Sequence, residues 1–184
     1  YKADHIILAT GSKQRDLHLP DASGELTIPT LGAWDVLKTP EKIPSGMHVT
    51  IIGGGMVGIE TADLLITKGC HITIIEIGHT IAPGMARNNR ADIMIRLKAA
   101  GLSLHLETSI ELVTKTEIHL KTMKGSLIIP RDPILIAAVG PVPSRELVAS
   151  LTELDIPFTL VGDASKPGDF LAAIRDGWMA GLTV

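Results

Sequence analysis

The chain has 184 residues, 45% of them hydrophobic and 18 of them glycine, a balance that suits a folded α/β protein and excludes a disordered one. Its 17 basic and 20 acidic residues are interspersed to a net charge of −3, and aromatic residues make up 3%, so neither a nucleic-acid field nor a base-stacking platform is expected. The longest apolar run, Pro133 to Pro143, falls short of the roughly 20 residues of a membrane span, so no membrane partner is expected.

Taken in chain order, Lys2 to Ala9 reads as a strand (Ile6, Ile7, Leu8) running into Ala9-Thr10-Gly11-Ser12. The chain opens at Tyr1 rather than Met, and reads as a fragment or an excised piece. From Lys13 to Ser45 it is rich in Pro, Asp and Gly, with one short helical patch from Gly32 to Lys38. That stretch reads as a connection crossing between two lobes.

The segment from His48 to Glu76 carries the chemistry. Val49 to Ile52 is strand-like and feeds Gly53-Gly-Gly-Met-Val-Gly58, and Ile59 to Lys68 reads as a helix stopped by Gly69. Ile72 to Ile75 is a second strand that ends on Glu76, 18 residues after Gly58. This is the order a dinucleotide site requires. Gly53 permits the tight turn, Gly55 lets the backbone approach a pyrophosphate, and Gly58 lets the helix pack closely on the strand. The N–H groups of Gly55, Met56 and Val57 open a helix whose positive end suits phosphate. Glu76 is placed to accept hydrogen bonds from ribose hydroxyls. A carboxylate there repels a 2′-phosphate, and Ile77, Gly78, His79 and Thr80 bring no Arg or Lys, so NAD(H) is expected ahead of NADP(H), with His79 the residue that blurs the choice.

Beyond Glu76, a helix is expected from about Ala86 to Ala100, with Ile93, Ile95, Leu97 and Ala100 on or near one face, followed by a third parallel strand over Leu102 to Leu106. Ile110 to Val113, Glu117 to Leu120 and Ser126 to Ile129 read as an antiparallel meander. Pro133 to Val139 is a buried-type strand, Glu146 to Leu151 a short helix, and Phe158 to Val161 a strand ending at Gly162-Asp163. A last helix begins near Gly168 and carries Phe170, Leu171, Ile174 and Met179.

Motifs on both flanks narrow the reading. Ile6-Ile-Leu-Ala-Thr-Gly-Ser12 resembles the A-T-G motif of flavoproteins with two dinucleotide-binding domains, and Ile134-Leu-Ile-Ala-Ala-Val-Gly140 is similar to the closing motif of their NAD domain. Thr159-Leu-Val-Gly-Asp-Ala164 resembles their second FAD motif. More narrowly, Gly53-Gly-Gly-Met-Val-Gly-Ile-Glu-Thr-Ala62, Ala86-Arg-Asn-Asn-Arg90, Ala137-Ala-Val-Gly140, and Val161 to Pro167 with Ala172 to Gly177 resemble the NADH:flavin oxidoreductases related to old yellow enzyme, in the 2,4-dienoyl-CoA reductase and 2-enoate reductase group.

The resemblance implies an α/β fold: a Rossmann-like parallel sheet with a three-stranded antiparallel meander, plus remnants of a flanking FAD domain. Residues 1–45 would be a partial FAD segment and crossover linker, 46–143 the NAD(H)-binding domain, and 144–184 a second partial FAD segment. It also implies an NADH-to-FAD relay that continues to an enoyl or 2,4-dienoyl substrate. FMN and a 4Fe–4S cluster would lie in further domains of the same polypeptide, since one cysteine cannot hold a cluster. The piece alone is expected not to catalyse turnover, and no catalytic residue is assigned.

Gly140 and Gly162 mark the two closing turns, and Asp163 is implied as a flavin ribityl ligand, a plain acid in a Gly-Asp turn being the other reading. Glu60, about one turn into the nucleotide helix, fits either a nicotinamide contact or an ordinary acid near a positive helix end. Gly168 is either an N–H donor toward flavin or a simple helix start. Gly140 precedes Pro141 where the resembled family commonly has arginine. Arg87, Arg90 and Arg96 read as a solvated or docking face. The seven histidines show no ligand spacing, so no metal is expected. Cys70 has no second cysteine to pair with, which points to a cytoplasmic setting. Two other readings stand beside the first: the NAD domain of an NADH oxidase or ferredoxin reductase, and a nucleotide-binding module without turnover.

Overall fold

Strands form over the β-branched runs Val49-Thr-Ile-Ile52 and Ile72-Thr-Ile-Ile75, whose side chains suit a pleated, buried surface. The computed structural model describes residues 3–184, so Lys2 of the expected first strand lies outside the described residues. In chain order, β1 (Ile6–Leu8) and β2 (Ser12–Gln14) precede β3 (His18–Pro20), β4 (Leu26–Pro29), β5 (Leu31–Gly32) and α1 (Ala33–Lys38). An alternating run follows: β6 (His48–Ile52), α2 (Met56–Ile66), β7 (His71–Ile75), α3 (Arg87–Ala99) and β8 (Ser103–His105). Next come β9 (Thr108–Val113), β10 (Glu117–Thr122), β11 (Gly125–Pro130) and β12 (Ile134–Ala137). The chain finishes with β13 (Pro141–Pro143), α4 (Val148–Glu153), β14 (Phe158–Leu160) and α5 (Phe170–Thr183).

The described chain divides into two compact units. One is continuous, Arg15–Gly140, and the other joins the segment ending at Gln14 to Pro141–Val184. In the continuous unit a five-stranded sheet runs in the order β5-β12-β6-β7-β8, with every neighbouring pair parallel. Because side chains alternate across a strand, consecutive residues enter different cores. Val49, Ile51, Ile74 and Ile136 pack with Ile59 and Leu65 of α2 and Leu97 of α3. Ile75 and Leu135 point the other way, to Val113, Ile118 and Leu120 of the antiparallel meander β9-β10-β11. The sheet is covered on both faces, which is why its strands read as continuous apolar runs.

The unit reaches further toward the N-terminus than a boundary at residue 46. Leu19 and Ile28 of the β3-β4 hairpin join the meander-side core, and Ala33, Val36 and Ile43 join the helix-side core. Lys68, at the end of α2, donates to the carbonyls of Pro40 and Ile43 and fastens this stretch down. The Pro- and Gly-rich composition concealed strands too short to show a period. In α3 the inward residues are Ile93, Met94 and Leu97, whereas Ile95 and Ala100 are exposed, correcting the expected face. The guanidinium of Arg96 pairs with both carboxylate oxygens of Asp63, at 2.8 and 2.7 Å, and ties α3 to α2.

In the discontinuous unit β1 pairs in parallel with β14, and β2 pairs antiparallel with β13. Its buried apolar side chains are few: Leu8, Val161, Ala164 and Ala180. The last helix starts at Phe170, two residues later than Gly168, because Asp169 is its N-cap and accepts from the Ala172 N–H at 2.8 Å. Among the described residues, no helix is long and apolar enough to cross a membrane, and no cluster of His, Cys, Asp or Glu is suited to a metal.

Candidate functional site

The continuous unit places its glycine turn where the strand order reverses. β6 is flanked by β7 on one side and β12 on the other, and the crevice beyond their carboxyl ends is where open α/β sheets bind ligands. The Ala138 N–H donates to the Ile52 carbonyl at 2.7 Å and holds the two strand ends together. Gly53 has φ of +105°, and a Cβ there would lie 2.4 Å from the Ala138 carbonyl oxygen. A Cβ on Gly58 would sit 2.0 Å from the Gly53 carbonyl oxygen, so α2 rests against the turn only because residue 58 lacks a side chain. A Cβ on Gly55 would meet nothing within 4 Å. That open space faces a helix start where Gly55 is the N-cap and no side chain caps the first turn. The Met56 and Val57 N–H groups thus lack a side-chain acceptor, as an anion-binding helix start requires. The Met56 side chain is exposed, that of Val57 packs against the helix-side core, and Glu60 is exposed one turn further on.

Glu76 builds the turn as well as facing it. Its carboxylate accepts from the Gly54 N–H and from the Gly78 N–H, each at 2.5 Å. The Gly54 carbonyl in turn accepts from the Ala82 N–H at 2.7 Å. Gly54 is therefore held on both sides, and Glu76 is fixed at the tip of β7 with lone pairs left for hydroxyl donors. The backbone of Glu76 is anchored too, donating to the His105 carbonyl and accepting from the Thr108 N–H. Gly54, Gly78, Ala82 and Ala138 escaped the sequence reading. Of these, only Gly78, two residues from the acid, carried a local signal.

Gly140 has φ of +82° and no atom that would crowd a Cβ, so it opens the turn after β12. The contact against the glycine turn comes from Ala138 instead.

In the discontinuous unit Gly162 has φ of +57° and approaches Ala173 of α5. The Asp163 carboxylate accepts from the Ser12 hydroxyl at 2.8 Å and from the Gly168 N–H at 3.1 Å. Gly168 thereby directs its N–H at Asp163. Thr10 donates to the Ser144 carbonyl at 2.6 Å, and Arg145 donates to the carbonyls of Ala164 and Ser165. Asp163 and Gly168 also line a cavity of about 450 Å³, together with Ala9, Gly11, Gly162 and Phe170. Its lining carries the carboxylates of Asp163 and Asp169 and no cationic side chain, so it does not favour an anionic group. Cys70 is buried, and its thiol donates to the Pro44 carbonyl at 3.6 Å.

Comparison with known proteins agrees with this architecture. Residues 1–159 match the pyridine nucleotide-disulphide oxidoreductase family. The chain is 31% identical over 176 residues to an NADH oxidase of Thermoanaerobacter brockii, covering 95% of this chain and 27% of the relative. It is 32% identical over 178 residues to a cinnamate reductase of Clostridium sporogenes, covering 95% of this chain and 25% of the relative. A bilirubin reductase of Mediterraneibacter gnavus is 29% identical over 178 residues, with 96% and 27% covered. The chain thus spans about a quarter of the length of these curated relatives. Among solved structures, a 2-naphthoyl-CoA reductase matches in fold with a TM-score of 0.76 at 20% identity, over 98% of this chain and 27% of that one. A HOCl-induced flavoprotein disulfide reductase from Escherichia coli matches with 0.65 at 19%, over 97% and 44%. With its match extending over most of the sequence, the chain belongs to the pyridine nucleotide-disulphide oxidoreductase family.

Proposed function

We propose that this chain is the NADH-receiving portion of a flavin-dependent oxidoreductase. The observation that carries the reading is the glycine turn at the sheet's switch point, locked to Glu76 through the Gly54 N–H. The Met56 and Val57 N–H groups would hold the pyrophosphate, Glu76 the adenosine ribose, and Glu60 would contact the nicotinamide amide. Bound NADH supplies a hydride. The chain's own residues bind and orient the dinucleotide, and Gly162 and Asp163 line the place where a flavin would receive the hydride.

In a longer protein, electrons would pass from FAD through a 4Fe–4S cluster and FMN to an enoyl or dienoyl substrate. The names of the cinnamate and 2-naphthoyl-CoA reductases support an unsaturated acyl substrate of that kind. The similarity to an NADH oxidase favours a second reading, in which the same portion serves an NADH oxidase.

Titration calorimetry with NADH and NADPH tests the proposal. NADH is expected to bind more tightly. Absence of binding by either at millimolar concentration defeats it, and a clear NADPH preference defeats the assignment of Glu76.

A further inference from the structure

The meander brings a cation to a groove that borders the Glu76 clamp. β9 begins at the backbone of β7's tip: the Thr108 N–H donates to the Glu76 carbonyl and the Glu107 N–H to the Gly78 carbonyl, both at 3.0 Å. Across the β9-β10 ladder, Ser109 stands opposite Lys121, and Thr108 opposite Thr122. Leu120 turns into the core, so by alternation Lys121 faces outward with Ser109. Together with Ile77, Gly78, His79 and Glu107 these two residues line a groove of about 390 Å³. Gly78 is shared between that groove and the Glu76 clamp, so the groove begins one hydrogen bond from the carboxylate.

We propose that this groove receives the 2′ substituent of the adenosine ribose and that Lys121 is a specificity-determining residue there. The inference rests on the dinucleotide reading above. Glu76 and Glu107 disfavour a 2′-phosphate, and the Lys121 ammonium offsets them, so the site ranks NADH first without shutting NADPH out. A phosphate accepts a charge-assisted hydrogen bond from an ammonium, and an ammonium beside a free 2′-hydroxyl adds little. Lys121 is exposed, which keeps the effect moderate.

The test is calorimetric titration of the unaltered chain, Lys121→Ala, Lys121→Glu and Lys124→Ala with NADH and with NADPH at fixed low salt. Lys124 lies in the turn that follows β10, three residues on and outside the groove, so its variant removes equal bulk charge. Lys121→Ala is expected to weaken NADPH about fivefold and NADH less than about twofold, Lys121→Glu to weaken NADPH further, and Lys124→Ala to leave the ratio unchanged. If both dinucleotides bind and the ratio is the same in Lys121→Ala, or shifts as much in Lys124→Ala, the assignment of Lys121 is wrong. If neither dinucleotide binds the unaltered chain, the dinucleotide reading falls and this one with it.

Discussion

The continuous unit encloses its sheet between two layers of aliphatic side chains, whereas the discontinuous unit leaves most of its last helix bare. Ile51, Ile59, Leu65 and Ile74 are fully buried in the first. In the second, Phe170, Leu171 and Trp178 are 81%, 73% and 70% exposed. Both contain well-formed local structure: α5 has its Asp169 cap and Asp163 has two donors. The contrast shows that capping and turn chemistry shape an element without supplying the burial that stabilises it. It also separates two sites by the rigidity of what holds them. The glycine turn is braced from β7, β12 and the 80–82 loop, while Phe170, on the wall of the Asp163 cavity, is largely exposed.

The strongest way to break this comparison is a matched pair of truncations. Leu65→Ala empties a site in the helix-side core and is expected to lower stability by about 2–5 kcal/mol in urea unfolding. Leu171→Ala on α5 is expected to change it by less than about 0.5 kcal/mol. Equal losses would mean that each unit is stabilised by the same kind of packing.

Next in size is Gly58→Ala, whose methyl would collide with the Gly53 carbonyl and push α2 off the turn. NADH affinity should fall at least about tenfold, since small displacements of positioning groups are costly. Unchanged affinity would remove the close helix approach from the account.

Glu76→Ala should narrow the gap between NADH and NADPH, because the carboxylate that repels a 2′-phosphate is gone. It also frees the Gly54 and Gly78 N–H groups and removes the ribose acceptor, so NADH itself should weaken by roughly tenfold, about 1.5 kcal/mol, the low end for one hydrogen bond to a charged group. Glu76→Gln keeps an acceptor for one of the two N–H groups and should fall between.

The smallest effect concerns acid. Burial holds the His105 imidazole below its ordinary value of 6.5, so the folded chain binds fewer protons there than the unfolded one. Its contribution is complete above about pH 6.5 and declines as pH falls below that toward the folded value. His105→Gln should flatten that part of a stability-versus-pH curve measured by thermal unfolding. A steeper curve in the variant would reverse the sign.

Legibility in the sequence followed the same division. The alternating elements from His48 to His105 were readable because β6 and β7 are unbroken β-branched runs and a glycine follows each helix, and the meander because polar or Gly breaks separate its short runs. The β3-β4 hairpin was not, since three- and four-residue strands among prolines carry no period. In the site, Gly53, Gly55, Gly58 and Glu76 stood at meaningful spacings along one β-α-β unit. Ala138, just past the end of β12, and Lys121 in β10 reach the turn and the groove through the pairing of neighbouring strands, and an alanine or a lysine carries no mark of such a neighbour. For α5 the sequence showed which residues are apolar and was silent on whether anything covers them.

The central claim is that the braced turn of the continuous unit binds NADH. Calorimetric titration of the purified chain with NADH, followed by FAD and gel filtration, addresses it most directly. The account predicts saturable one-to-one NADH binding, tighter than NADPH, and FAD that washes away to leave a colourless protein. A chain that ignores NADH at millimolar concentration, or that keeps stoichiometric yellow FAD while doing so, would contradict it.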